Sequence, residues 1–156
     1  MLFRSVMSVE ENIQLIRRWF QEVWNENRIQ TVYDLLAPDA IGRGQTGSQG
    51  ELHGPKDFVP FVKQIRAAFP DIHVEIDDAF GAGDKVVARW TATMTHSGDD
   101  LGMQATGKSV RITGTTIARI LDGQIIEGWD NWDQLGMLEQ IGAYSRPQAI
   151  PLQKSA

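Results

Sequence analysis

Up to about Phe69 the apolar residues recur at helical spacing, and beyond Asp71 they recur at every second position. Ser8 with Glu11 three residues later fits a capping box. Ile13, Ile16, Phe20 and Val23 follow on one stripe, widened by Leu15, Trp19 and Trp24, and a face so broad calls for a sheet as its partner. Ile29, Val32, Tyr33 and Leu36 predict a short second helix that stops before Pro38. Residues 41–55, rich in glycine and polar side chains, read as a loop with at most a short strand near Ile41. Phe58, Phe61, Val62, Ile65 and Phe69 predict a third helix. Pro60 inside it argues for a start nearer Asp57 than Pro55.

Ile72, Val74 and Ile76 then alternate with His73, Glu75 and Asp77 as in a strand. Residues 86–95 and 110–120 are long β-prone runs, Asp122-Gly123 is a hairpin signal, and residues 124–132 form a last strand. Asp133 opens a closing helix that ends at Gly142. Helices first and antiparallel strands afterwards give an α+β fold. Gly114 and Gly128 lie where a long sheet could bend, and helices laid over a curled sheet enclose a hollow. One domain over residues 1–144 is expected, with a tail at 145–156.

Net charge of -5 and the lack of any Lys/Arg cluster speak against a nucleic-acid partner. Without cysteine there is neither a disulfide framework nor a thiolate metal site. The three histidines are far apart and match no metal-ligand spacing, so no metal or cofactor is expected. No apolar run is long enough to span a membrane, no membrane partner is expected, and the N-terminus does not read as a secretory signal. A cytoplasmic protein is the resulting expectation.

The stretch "EGWDNWDQLG" carries the candidate chemistry. Carboxylates bury poorly and indoles bury well. Asp130 and Asp133 therefore either sit in water at an element boundary, or one of them lines a cavity. Strand alternation puts Asp130, Gly128 and Ile126 on one face and Trp129, Glu127 and Ile125 on the other. Asp133 fits a helix N-cap that accepts the N–H of Leu135 or Gly136.

From Glu10 to Gly142 the chain resembles the SnoaL-like polyketide cyclase (ester cyclase) family. The phrases that carry the resemblance are "FPD", "GDKVVARWT", "THSGDDLGMQATGK", "IARILDGQIIEGWDNWD" and "LGMLEQIG". The resemblance implies an NTF2-like cone: a curved, mostly antiparallel sheet with three N-terminal helices packed over it around a pocket. It also implies intramolecular aldol cyclisation of a small hydrophobic carbonyl compound, without metal or cofactor, through an aspartate acid/base. Asp130 is the position that best matches that aspartate, and His96, which matches the "TH" of its phrase, is a second candidate catalytic residue, to hydrogen-bond a substrate carbonyl or orient a carboxylate.

An ordinary aspartate, with a pKa of about 3.9, is a weak base at neutral pH. Raising it by two or three units costs about 3 to 4 kcal/mol, which burial among apolar walls can supply. Trp19, Trp24, Phe61, Trp90 and Trp129 are the candidate walls, and Asn131 a candidate hydrogen-bond donor to substrate. A homodimer through the sheet is expected. Two other readings stay open. NTF2-like epoxide hydrolases share the Asp-x-x-Asp pattern of Asp130 and Asp133, but need a further Asp–Arg pair. A module that only binds a hydrophobic ligand or dimerises needs no reactive acid.

Overall fold

A computed structural model describes residues 7–145 and 147; the expected tail, apart from Ser145 and Pro147, lies outside the described residues. Helix α1 (Val9–Trp19) begins with the capping box: Ser8 Oγ accepts the Glu11 N–H at 3.1 Å, and the Glu11 carboxylate accepts the Ser8 N–H at 2.9 Å. It continues as a π-helical segment, Phe20–Asn25, whose widened turn extends the apolar stripe to Phe20 and Val23. Helices α2 (Ile29–Leu35) and α3 (Gly54–Ala68) complete the N-terminal layer. Helix α3 starts at Gly54 rather than near Asp57. Pro55 sits at its first turn, where no N–H is needed, and Pro60 lies on its exposed face.

The segment read as a loop is instead a hairpin, β1 (Leu36–Gly44) and β2 (Gly47–His53). Pro38 lies between the paired positions Leu36 and Ile41, where the ladder shifts register, so its missing N–H removes no ladder bond. The remaining strands are β3 (His73–Ala82), β4 (Lys85–Thr95), β5 (Ser109–Leu121) and β6 (Gln124–Trp132). Together they form one curved, unclosed sheet in the order β2-β1-β6-β5-β4-β3. Every pairing is antiparallel except β1 with β6. Helix α4 (Gln134–Gln140) closes the chain, and Asp133 caps it by accepting the Gly136 N–H at 2.8 Å.

Two register shifts matter for which side chains face inward. Between Ile76 and Asp78 the β3 ladder slips, which leaves Phe80 exposed and turns Ala79 inward. Between Arg119 and Ile120 the β5–β6 ladder slips as well. Ile125, not Ile126, therefore joins Gly128 and Asp130 on the inner face. The core lies between that face and the helices, built from residues such as Ile16, Val23, Val62, Phe69, Ala88 and Ile141. Among the described residues no helix is long and apolar enough to cross a membrane.

Candidate functional site

The inner face of the sheet does not meet the helices everywhere. Where Gly42, Gly128 and Ala118 replace larger side chains, a cavity of about 110 Å³ remains. Gly42 pairs with Gly128 across β1 and β6, and Gly128 with Ala118 across β6 and β5, so a row of small residues forms one wall. The opposing wall is aromatic: Trp19, Phe20 and Trp24 from the first helical segments, and Phe58 and Phe61 from α3. These rings pack at an angle, with centroids 5.1 Å apart for Trp19–Phe58 and 6.1 Å for Trp24–Phe61. Trp24, Phe61 and Ile65 keep partial exposure and mark the mouth.

Asp130 is the one acidic or basic side chain among the residues lining this cavity. Its carboxylate is held from two sides. Thr116, directly opposite on β5, donates its hydroxyl to Oδ1, and Gln45 Nε2 donates to Oδ2 at 2.9 Å. Trp90 Nε1 donates to the Thr116 oxygen at 3.0 Å, so the Thr116 proton is left to point at Asp130. Burial drives the Asp130 pKa up to about 6, while the hydrogen bonds from Thr116 and Gln45 work against that rise. Such a group is mostly ionised at neutral pH, yet far more basic than an aspartate in water.

The backbone is shaped to allow this arrangement. Trp90 lies opposite Gly114 on β5, and a Cβ at position 114 would come within 2.3 Å of the indole. Gln45 sits in the β1–β2 turn and folds back over Gly42, where a Cβ would meet its amide at 3.0 Å. Gly44, at φ +90°, passes so close to β6 that a Cβ there would lie 2.0 Å from the Asp130 carbonyl oxygen. Trp132 pins the same turn by donating Nε1 to the carbonyls of Gly44 and Gln45, at 3.1 and 3.2 Å.

Of the residues singled out in the sequence, Trp19, Trp24, Phe61 and Trp90 line the cavity with Asp130. Trp129 and Asn131 do not. They fall on the opposite face of β6, where Arg43 lies 5.6 Å and Lys85 6.0 Å from the Trp129 ring centroid. His96 is fully buried but outside the cavity. Its Nδ1 accepts the Thr106 N–H at 3.2 Å and its ring packs 5.6 Å from Phe69, which ties the 97–107 loop to the end of β4. Neither His53, paired with Glu51 at 3.2 Å, nor His73, which is exposed, lines the cavity. Arg89 pairs with Asp77 at 3.7 Å and Arg119 with Asp84 at 2.8 Å, both away from the cavity. No Asp–Arg pair therefore stands beside Asp130 among the described residues, nor do three potential metal-ligating side chains converge.

Sequence reasoning passed over Gln45 and Thr116. Thr116 had no usable signal, since registering the β5–β6 hairpin from its Asp122-Gly123 turn places Thr115 opposite Asp130, and only the register shift at Arg119 brings Thr116 there. Gln45 had none, because a polar residue in a glycine-rich turn gives no period to read.

The profile of the SnoaL-like polyketide cyclases matches residues 14–141. The chain belongs to this family. Among curated proteins, it is 30% identical over 131 residues to the aklanonic acid methyl ester cyclase DnrD of Streptomyces peucetius, covering 83% of this chain and 90% of that one. Among solved structures, a candidate SnoaL-like polyketide cyclase of Jannaschia sp. CCS1 superposes with a TM-score of 0.80 at 23% identity, over 93% of this chain and 100% of that one. An NTF2-like protein of Burkholderia pseudomallei K96243 does so with a TM-score of 0.71 at 20% identity, over 87% and 99%. The fold of this SnoaL-like cyclase family member is thus the NTF2-like α+β cone.

Proposed function

We propose that this SnoaL-like chain catalyses an intramolecular aldol cyclisation, with Asp130 as both base and acid. The observation that carries the reading is a single carboxylate facing a cavity whose other walls are almost wholly apolar, with a pKa raised to about 6. The ionised Asp130 removes a proton from the carbon α to a carbonyl. The resulting enolate carbon attacks a second carbonyl of the same molecule and forms the new C–C bond. The alkoxide produced takes the proton back from Asp130. No atom is gained or lost, so the reaction is an isomerisation that needs no external proton source.

Thr116 and Gln45 keep the carboxylate from rotating and leave each oxygen a lone pair for the substrate. Trp90 supports Thr116, and Trp19, Trp24 and Phe61 exclude water and stack on a planar ligand. A cavity of about 110 Å³ is smaller than the roughly 150 Å³ hollow that holds a benzene molecule. A polycyclic substrate would insert its reacting end and leave the rest at the mouth, against Trp24 and Phe61.

The test is to incubate the protein with aklanonic acid methyl ester, the compound in the relative's name, and with smaller enolisable diketones. A cyclised product of unchanged mass is expected. With Asp130→Asn, both product formation and α-proton exchange into deuterated water should fall by about 10² to 10⁴. Full turnover by that variant would end the proposal. Epoxide hydrolysis is left without support by the absence of a partnering Asp–Arg pair among the residues lining the cavity.

A further inference from the structure

Gln45 is buried, with 5% of its surface exposed, and its amide is only half used. Nε2 donates to Asp130 Oδ2 at 2.9 Å, and Oε1 has no partner. A buried amide oxygen left unpaired is costly, so its persistence here asks for an occupant. Water or a ligand could supply the missing donor. Gln45 lines the same cavity as Asp130 and Thr116, and the remaining lining is apolar. A water beside Gln45 would lean on these polar groups, and a ligand hydroxyl that enters the cavity can take its place.

The direction of the amide is fixed by chemistry as well. Asp130 presents only acceptors when ionised, so the amide nitrogen must face it and the carbonyl oxygen must face away. The turn is clamped by Trp132 on the carbonyls of Gly44 and Gln45, and the amide rests against Gly42. The side chain is therefore positioned to accept one hydrogen bond, one hydrogen-bond length from the base.

We propose that Gln45 orients the substrate by accepting a hydroxyl or enol O–H, so that the ligand class is an enolisable carbonyl compound with an O–H donor a few bonds from its acidic carbon. This rests on the reading of Asp130 as the base. A β-dicarbonyl in its enol form and a phenolic ketone both meet the requirement. A simple ketone of the same size presents no donor, and an O-methyl ether blocks the one it had.

Matched probes read this without turnover. Binding of 3-hydroxyacetophenone and of 3-methoxyacetophenone is measured by calorimetry at pH 7.5 to the wild type and to Gln45→Met, Gln45→Glu and Asp130→Asn. In the wild type the hydroxyl probe should bind about fivefold to tenfold more tightly, the worth of one hydrogen bond to a buried acceptor. Gln45→Met should lose that preference while still binding the ether. Gln45→Glu, which keeps an acceptor oxygen and shares a proton with Asp130, should retain it. Asp130→Asn should also retain the preference even though turnover is lost, because the asparagine can present its amide oxygen to Gln45 Nε2 and leave Gln45 Oε1 free to accept from the ligand. Equal binding of the two probes by the wild type, or an unchanged preference in Gln45→Met, overturns the proposal. Turnover by Asp130→Asn, with the Gln45 preference intact, would instead sink the reading of Asp130 alone.

Discussion

The two faces of β6 make opposite use of neighbouring residues. Gly128, Asp130 and Trp132 look into the cavity; Glu127, Trp129 and Asn131 look away from it. On the outer face an acid meets bases at a half-buried surface. Glu127 lies 3.1 Å from Arg43 and 3.4 Å from Arg119, and Trp129 lies under Arg43 and Lys85. Half-buried, solvent-screened pairs of this kind contribute little, about 0 to 1 kcal/mol. On the inner face the acid has no cation among the lining residues and only two hydrogen bonds, and burial turns it into a base. Charged partners, not residue type, separate the two roles: Glu127 has two arginines beside it, and Asp130 has no cation among the lining residues.

Exchanging the residues across the two faces breaks the comparison most severely. The double variant Asp130→Asn with Asn131→Asp keeps composition and charge but moves the carboxylate into water. Its cyclisation rate should fall by about 10² to 10⁴, the usual worth of a positioned acid or base, in a single-turnover assay.

Next in size is a pH-dependent change in stability. Asp130 has a folded pKa of about 6 against about 3.9 unfolded. Between those values the native state binds more protons than the unfolded one. Stability therefore falls as pH rises through that window, and the cost is fully present above it. Asp130→Asn removes the cost, so the variant should be more stable than the wild type at pH 8, by at most about 3 kcal/mol, and gain nothing at pH 3. Urea unfolding at both pH values checks this.

A smaller effect is expected from Gly114→Val. The new side chain would push into Trp90, whose ring lies 2.3 Å from a Cβ at that position. A loss of about 1 to 3 kcal/mol in chemical denaturation, with a lower turnover as Trp90 releases Thr116, should follow. The smallest belongs to Trp129→Ala. Losing the Arg43 and Lys85 contacts on the outer face should cost about 0.5 to 1 kcal/mol of stability. Turnover should stay within about twofold of the wild type, against a much larger drop for Trp90→Ala.

The comparison also explains what the sequence could reveal. The order of the helices and of β3 to β6, the capping box at Ser8 and the cap at Asp133 follow from local rules and were legible. Strand alternation separated Asp130 from Trp129. The same alternation misplaced Ile126, because a register shift after Arg119 adds a residue that periodicity does not count. Residues 41–55 hid a hairpin, since glycines at 42, 44 and 50 serve close packing there, Gly47 a positive φ, and together they resemble a loop in composition. Gln45 was invisible for that reason. His96 carried a motif but no geometry, and three-dimensional packing assigns it to the base of a loop.

The most direct measurement is a carboxyl-carbon NMR titration of Asp130, identified by its absence in Asp130→Asn. A water-poor cavity predicts a midpoint near 6, shared by the rising limb of the pH–rate profile. A midpoint near the ordinary aspartate value of about 4 would show that solvent reaches the carboxylate, and the account of Asp130 as a base would then be contradicted.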